Sequence, residues 1–307
     1  MPRALALCCA LVLALCAGAH AQTPPQTAPP AAPQAPQGQE QRQDGIALAP
    51  ARFELEMEPG AETTVVVNLD YHTAKPNAQA SRILATLNDW TLTPGGELEF
   101  FKAGTRDRSA SPWLIYSPGE VLVQPGKTHS IRVTVTVPKD AKPGDHLSAL
   151  VVEQRPDTIK LNKNDRQMLL RYRMAALFYV KVPQLTRDGS LTGLKAAATE
   201  EGVVITPTLK NAGNSVIRPV AALTITDASG RVVAEAPEGE TLPILAGSEL
   251  SVPLRLSQSL PPGHYSVAYR VNFQGYGKAT EGVTKLVVGE KAAAQPAPAA
   301  PAAAPPN

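Results

Sequence analysis

Cysteine is almost missing from this chain. Of 307 residues only Cys8, Cys9 and Cys16 carry a thiol, and all three fall in the first 21. Once that segment is removed, no disulfide can form, so the folded part must be held by its core alone. A long apolar run is also missing beyond the N-terminus, which excludes a later membrane-spanning helix. Charge of one sign is not in excess. The 29 Lys and Arg face 27 Asp and Glu, and the balance argues against a nucleic-acid or polybasic membrane role. Catalytic motifs are absent as well: there is no Gly-x-Ser-x-Gly elbow and no glycine-rich phosphate loop. Beyond His20, the histidines His72, His129, His146 and His264 stand too far apart in sequence for metal-ligand spacing. Three of them, His129, His146 and His264, sit beside strand starts and are expected at surfaces or edges. Glu97 and Glu99 share one strand face and read as solvated. No metal, cofactor or enzyme is expected.

The first 21 residues read as a secretory signal. Arg3 supplies the basic start, residues 4–17 an apolar run, and Ala19-His20-Ala21 a small-x-small cleavage site. Cys16 follows Leu15, where a lipoprotein signal would carry a small residue. The expected product is exported, soluble and periplasmic, with the cell surface as the alternative location. Residues 22–45 are rich in Pro and Gln, and residues 291–307 are nearly all Ala and Pro. Neither stretch has enough apolar side chains to offset the entropy of ordering, so both are expected to be disordered spacers.

The region between reads as strands. Ile131, Val133, Val135 and Val137 alternate with polar residues, the pattern of a half-buried strand. The stretch from Trp113 to Pro138 reads as a crossing between two sheets. Pro143-Gly144-Asp-His-Leu and Pro262-Gly263-His-Tyr-Ser resemble one another, as do Gly126 with Ser130 and Gly247 with Ser251, at nearly equal offsets. Two copies of one unit follow. Asp227-Ala-Ser-Gly230 reads as a hairpin turn. Gly275-Tyr-Gly277 reads as another, and Asp140 and Asp145 as the flanks of a third. Trp90 is a candidate core tryptophan. Residues 167–182 fit one long strand. The expected fold is all-β: two immunoglobulin-like Greek-key β-sandwich domains, at residues 46–183 and 184–290, flanked by disordered Pro/Ala-rich tails.

Four segments of the first unit carry a family likeness. They are Leu48-Ala-Pro-Ala-Arg52; Asn88-Asp89-Trp90 with its Gly-Gly-Glu turn; Ser117-Pro118 with Val123-Gln-Pro125-Gly126 and Ile131-Arg132-Val133; and Leu177-Phe178-Tyr179 with Pro183. Their order resembles the N-terminal domain of periplasmic pilus chaperones of the PapD type. The resemblance implies a chaperone that caps an exported pilus or coat subunit by β-strand donation, with a protein partner and no nucleic acid. It implies that Arg52 and a lysine hold the subunit's terminal carboxylate, but Ala176 stands where that lysine is expected. Arg171 and Arg173 lie nearby, on the face opposite Ala176. Met168, Leu170, Tyr172 and Met174 form an alternating apolar row, one residue out of the family register. The subunit-binding candidates are therefore Arg52, Met168, Leu170, Arg171, Tyr172, Arg173 and Met174. The alternative is an exported Ig-like scaffold or adhesive module that binds a cell-surface protein or wall polymer. The run from Arg52 to Pro138 also resembles surface proteins of Gram-positive bacteria that carry such modules.

Overall fold

The computed structural model describes residues 45–73, 78–155, 171–273 and 279–289. All of them belong to one compact unit, Arg42–Asn307. The expected signal, residues 22–44 and 291–307 of the low-complexity tails, Met168, Leu170 and the turn at Gly275–Gly277 lie outside the described residues, while Gly45, expected in the first tail, opens the first strand.

The first half builds two facing sheets. One holds β1 (Gly45–Ala49), β3 (Glu62–His72), β8 (Thr128–Thr136) and β6 (Leu114–Ser117), in the order β1-β3-β8-β6. The other holds β2 (Arg52–Glu56), β10 (Arg173–Val182), β9 (Gly144–Arg155), β4 (Ser81–Leu92) and β5 (Leu98–Lys102), with β7 (Glu120–Val123) also on β4. The chain changes sheet twice across a cis proline, at Ala49–Pro50 and at Ser117–Pro118. The second change lies within the crossing expected from Trp113 to Pro138.

Alternation decides what goes inside. On β8, Ile131, Val133 and Val135 are buried, while Arg132 and Thr136 stay out. They meet Val67, Leu69, Ile83, Leu150, Phe178 and Val180 in one core. Each such side chain contributes about 1.5–3 kcal/mol on burial, which lets the sandwich do without disulfides. The β9 strand breaks the alternation, because Leu150 and Val152 face that core while Ala149 and Val151 are buried on the outer face too. A strand covered on both faces has no reason to alternate.

The second half repeats the plan. β11 (Gly189–Thr199), β12 (Gly202–Asn211), β15 (Glu249–Leu250) and β16 (Leu254–Leu256) form one sheet. β14 (Val232–Glu240), β13 (Val220–Asp227), β17 (Gly263–Asn272) and β18 (Thr280–Val288) form the other. The repeat seen in the sequence is real in space. Gly126 and Gly247 both take positive φ (70° and 67°), just before β8 and β15. The two Pro-Gly matches open β9 and β17. Asp227–Gly230 turns between β13 and β14, as expected.

Three expectations need correction, and one gains a place. Trp90 is buried, as expected of a core tryptophan, though not between the sheets of the first sandwich. It lies on the outer face of β4, in a cluster with Ala149, Val151, Tyr179, Val216 and Leu245, so it seals the two sandwiches together. Its Nε1–H donates to Ser148 O at 3.0 Å. His146 is not at the surface either. It is buried against Trp113, with Nε2 2.9 Å from Lys142 O, and burial pushes its pKa down. Asp145 does more than flank a turn, because its Oδ2 accepts from Val216 N–H at 2.7 Å across the junction. Finally, the long strand begins at Arg173, with Arg171 and Tyr172 before it.

Candidate functional site

The sheet register locates the expected binding strand. β10 runs antiparallel to β9 along its whole length, from Arg173 opposite Glu153 to Val182 opposite Gly144. On its other side β2 runs parallel, but only from Leu177 opposite Arg52 to Lys181 opposite Glu56. The N-terminal half of β10 is therefore hydrogen-bonded on one side only among the described residues, with β1 of the facing sheet packed near β10. Parity says which groups are left over. The Leu177 N–H donates to Ala51 O, and the Lys181 C=O accepts from Met57 N–H, so odd-numbered residues point toward the β2 side. The backbone groups of Arg173 and Ala175 face that side with no ladder partner among the described residues.

The same parity sorts the side chains. Ala176, Phe178 and Val180 go into the first core. Ala176 is fully buried, so the position where a family lysine was expected faces the interior. Tyr172 is half-buried against this core, and Met174 is 40% exposed at its open end. Arg171, Arg173, Ala175, Leu177, Tyr179 and Lys181 take the outer face. Arg173 lies over the Phe100 ring at 5.3 Å, and Arg171 reaches Glu153 at 4.0 Å.

Arg52 does not meet Arg171 or Arg173. It opposes Leu177, about 13 Å along the strand from Arg173 at the usual rise per residue. Its Nε lies 3.4 Å from Glu54 Oε1. Two cations that the sequence reading missed share that carboxylate. Lys181 Nζ lies 2.7 Å from Glu54 Oε2, and an Arg218 guanidinium nitrogen lies 2.9 Å from Oε1. Arg218 also sits 5.6 Å from the Tyr179 ring centroid, with Glu240 at 4.0 Å. Burial alone would raise the Glu54 pKa. The hydrogen bond and charge of Lys181, then those of Arg218, outweigh it and hold the carboxyl below its ordinary value. The only sequence signal for Lys181 was its parity with Tyr179. Arg218 comes from the second sandwich and left no signal.

A second carboxylate organises the flank of the same sheet. Asp89 Oδ1 accepts from Gly104 N–H, Ser109 Oγ and Ser111 Oγ, and Oδ2 from the N–H groups of Thr105 and Arg106. Burial opposes its ionisation, but these donors win and its pKa is lowered. All its acceptor capacity goes to holding the loop after β5, which makes Asp89 a structural anchor. Among the described residues no group of His, Cys, Asp or Glu is arranged to hold a metal ion, and no helix is long and apolar enough to cross a membrane.

No protein-family model and no curated protein matches the chain. Solved structures do, and fimbrial chaperones are prominent among them. The CsuC–CsuE chaperone–tip adhesion subunit pre-assembly complex of Acinetobacter baumannii is 13% identical over 78% of this chain and 97% of that one, with a TM-score of 0.40. The CupB2 chaperone of Pseudomonas aeruginosa is 13% identical over 78% of this chain and 100% of that one, with a TM-score of 0.38. The E. coli chaperone DraB is 13% identical over 78% and 98%, with a TM-score of 0.36. These values describe a loose likeness. The functional reading rests on the geometry of β10 and its neighbours.

Proposed function

We propose that the chain is an exported, periplasmic chaperone that binds a pilus or coat subunit by β-strand addition along the N-terminal half of β10. The observation that carries this is the unpaired edge at Arg173 and Ala175, which ends where β2 begins. A subunit strand laid in that track would gain ladder hydrogen bonds, and its alternate side chains would meet Tyr172 and Met174 at the open end of the core. In the sequence, Met168 and Leu170 continue the same alternation, outside the described residues. A strand running parallel to β10 would bring its C-terminal end to Arg52. The resemblance to pilus chaperones supports a carboxylate contact there, with Lys181 and Arg218 close at hand in place of the lysine absent at Ala176. Arg171 and Arg173 would then flank the strand on the outer face.

The test uses one backbone group. Ala175→Pro deletes the outward N–H and leaves the pairing of β10 with β9 intact, since even-numbered residues make those bonds. Subunits that co-purify with the protein from its host's periplasm, and that are degraded when it is deleted, are first identified. The folded Ala175→Pro protein should then fail to retain them. Retention at the level of the unaltered protein excludes strand addition at this edge. If no subunit depends on the protein, the scaffold reading takes its place.

A further inference from the structure

The second sandwich contains a cavity that plays no part in the β10 edge. Its origin lies in the sheet ladder. β12 pairs with β15 at Leu209–Lys210 and with β16 at Val203–Ile205, but Ser251–Pro253 between them leave the ladder. Pro207 and Pro253 have no N–H with which to close it. Ser251 N–H turns away and donates to Pro94 O in the β4–β5 turn of the first sandwich, at 2.6 Å. On the facing sheet the β13–β14 register shifts between Ala221 and Leu223. The two sheets part there around a cavity of about 410 Å³.

Its walls are apolar. Leu209 and Leu254 lie on one side, Leu223 and Ala236 on the other. Tyr269 also lines it, 1% exposed, and its hydroxyl has no hydrogen bond among the described residues. That sets it apart from the other buried aromatic handles. Tyr265 Oη donates to Pro261 O at 2.8 Å, and Trp90 Nε1 to Ser148 O. The Tyr269 hydroxyl is not a sealed-off polar atom, so it is open to water or to a ligand in the cavity. Burial pushes the Tyr269 pKa up to about 12, so the group stays protonated and can donate. Among the residues lining the cavity, Glu240 is charged and none is a cation. A carboxylate ligand is disfavoured there. One wall is fixed from outside, because Gly96 of the β4–β5 turn packs on Leu242 and Val252.

We propose that this cavity is a binding site for a small uncharged molecule with an apolar body and one hydrogen-bond acceptor, which takes the hydroxyl of Tyr269. Apolar walls with one placed polar group are the usual make-up of a ligand pocket, and the volume falls in the usual range.

The experiment uses the mature chain and three naphthalenes: 2-acetylnaphthalene, 2-ethylnaphthalene and 2-naphthoate. Binding is read by displacement of the uncharged fluorophore N-phenyl-1-naphthylamine. The ketone should bind saturably at one site, the hydrocarbon more weakly, and the anion least. Tyr269→Phe should weaken the ketone about fivefold and leave the hydrocarbon unchanged, which is the loss of one hydrogen bond. Ala236→Phe fills the cavity and should abolish binding of all three. Ala221→Leu provides a second occluding variant should the first not fold. Absence of saturable ketone binding to the unaltered chain overturns the proposal. So does ketone binding that survives occlusion, or a ketone preference that survives Tyr269→Phe.

Discussion

Lys181 and Glu54 form an ion pair at 2.7 Å between neighbouring parallel strands, and Arg218 of the second sandwich closes on the same carboxylate at 2.9 Å. The Glu54 carboxylate thus does two jobs. It neutralises a lysine that is almost wholly buried, and it ties β2 to the second sandwich.

Glu54→Gln should lower stability by about 1 kcal/mol at neutral pH. The discount for a half-exposed carboxylate is offset by the burial of the Lys181 amine that would lose its charge partner. The folded Glu54 pKa lies below its ordinary 4.5. Its contribution is therefore present above that value and fades as pH falls through the lowered pKa. Thermal melts of both proteins from neutral to acid pH should converge at the acid end. A gap that stays constant through that window would show that the charge of Glu54 does not matter.

Asp145 has the opposite sign. Burial pushes its pKa above 3.8, against the Val216 N–H, Ser215 and the charges of Lys181 and Arg187, and Oδ1 is buried without a hydrogen bond. The folded state then holds this proton more tightly than the unfolded chain does. Its share of stability is greatest at low pH and falls as pH rises through the raised pKa. Asp145→Asn keeps an acceptor for Val216 N–H and removes the titration. The variant should match or exceed the parent's Tm at neutral pH and lose the parent's advantage in acid. A marked drop in Tm at neutral pH would mean that the ionised carboxylate stabilises the junction.

Gly96 should tolerate no side chain. Its φ is +87°, and an added Cβ would lie 2.5 Å from Leu242 Cδ1 and 2.9 Å from Val252 Cγ2. Gly96→Val combines backbone strain with a clash across the two sandwiches, and about 2–3 kcal/mol should be lost. Chemical denaturation measures it. Because the first core does not touch Gly96, an isolated loosening of the second sandwich should accompany the loss, seen as faster amide exchange in β13 and β14.

Much of this architecture was legible in the sequence where one residue type does one job. Gly126 and Gly247 mark equivalent turns because both need positive φ, and Ile131, Val133 and Val135 alternate because β8 has one wet face. Legibility failed where a second sandwich covers the first. Asp145 and His146 looked like surface residues, yet both are buried, and Trp90, expected in a core, is buried at the junction of the two sandwiches together with Asp145. Contacts between distant segments leave no periodicity. For the candidate site, the sequence singled out the strand that the structure leaves paired on one side over its first half, and it put Ala176 and Arg173 on opposite faces, as the register does. It could not show that Arg52 lies near Lys181 and Arg218 through Glu54, because that depends on the parallel register of β2.

The central claim is that a partner strand pairs with the free edge of β10, and amide hydrogen exchange tests it most directly. The even-numbered amides Met174 and Ala176 are bonded toward β9 and should be protected in the free protein and in its complex with a subunit alike. The Arg173 and Ala175 amides should exchange quickly in the free protein and become protected only in the complex. Equal, fast exchange of those two amides in free and bound protein would contradict the account.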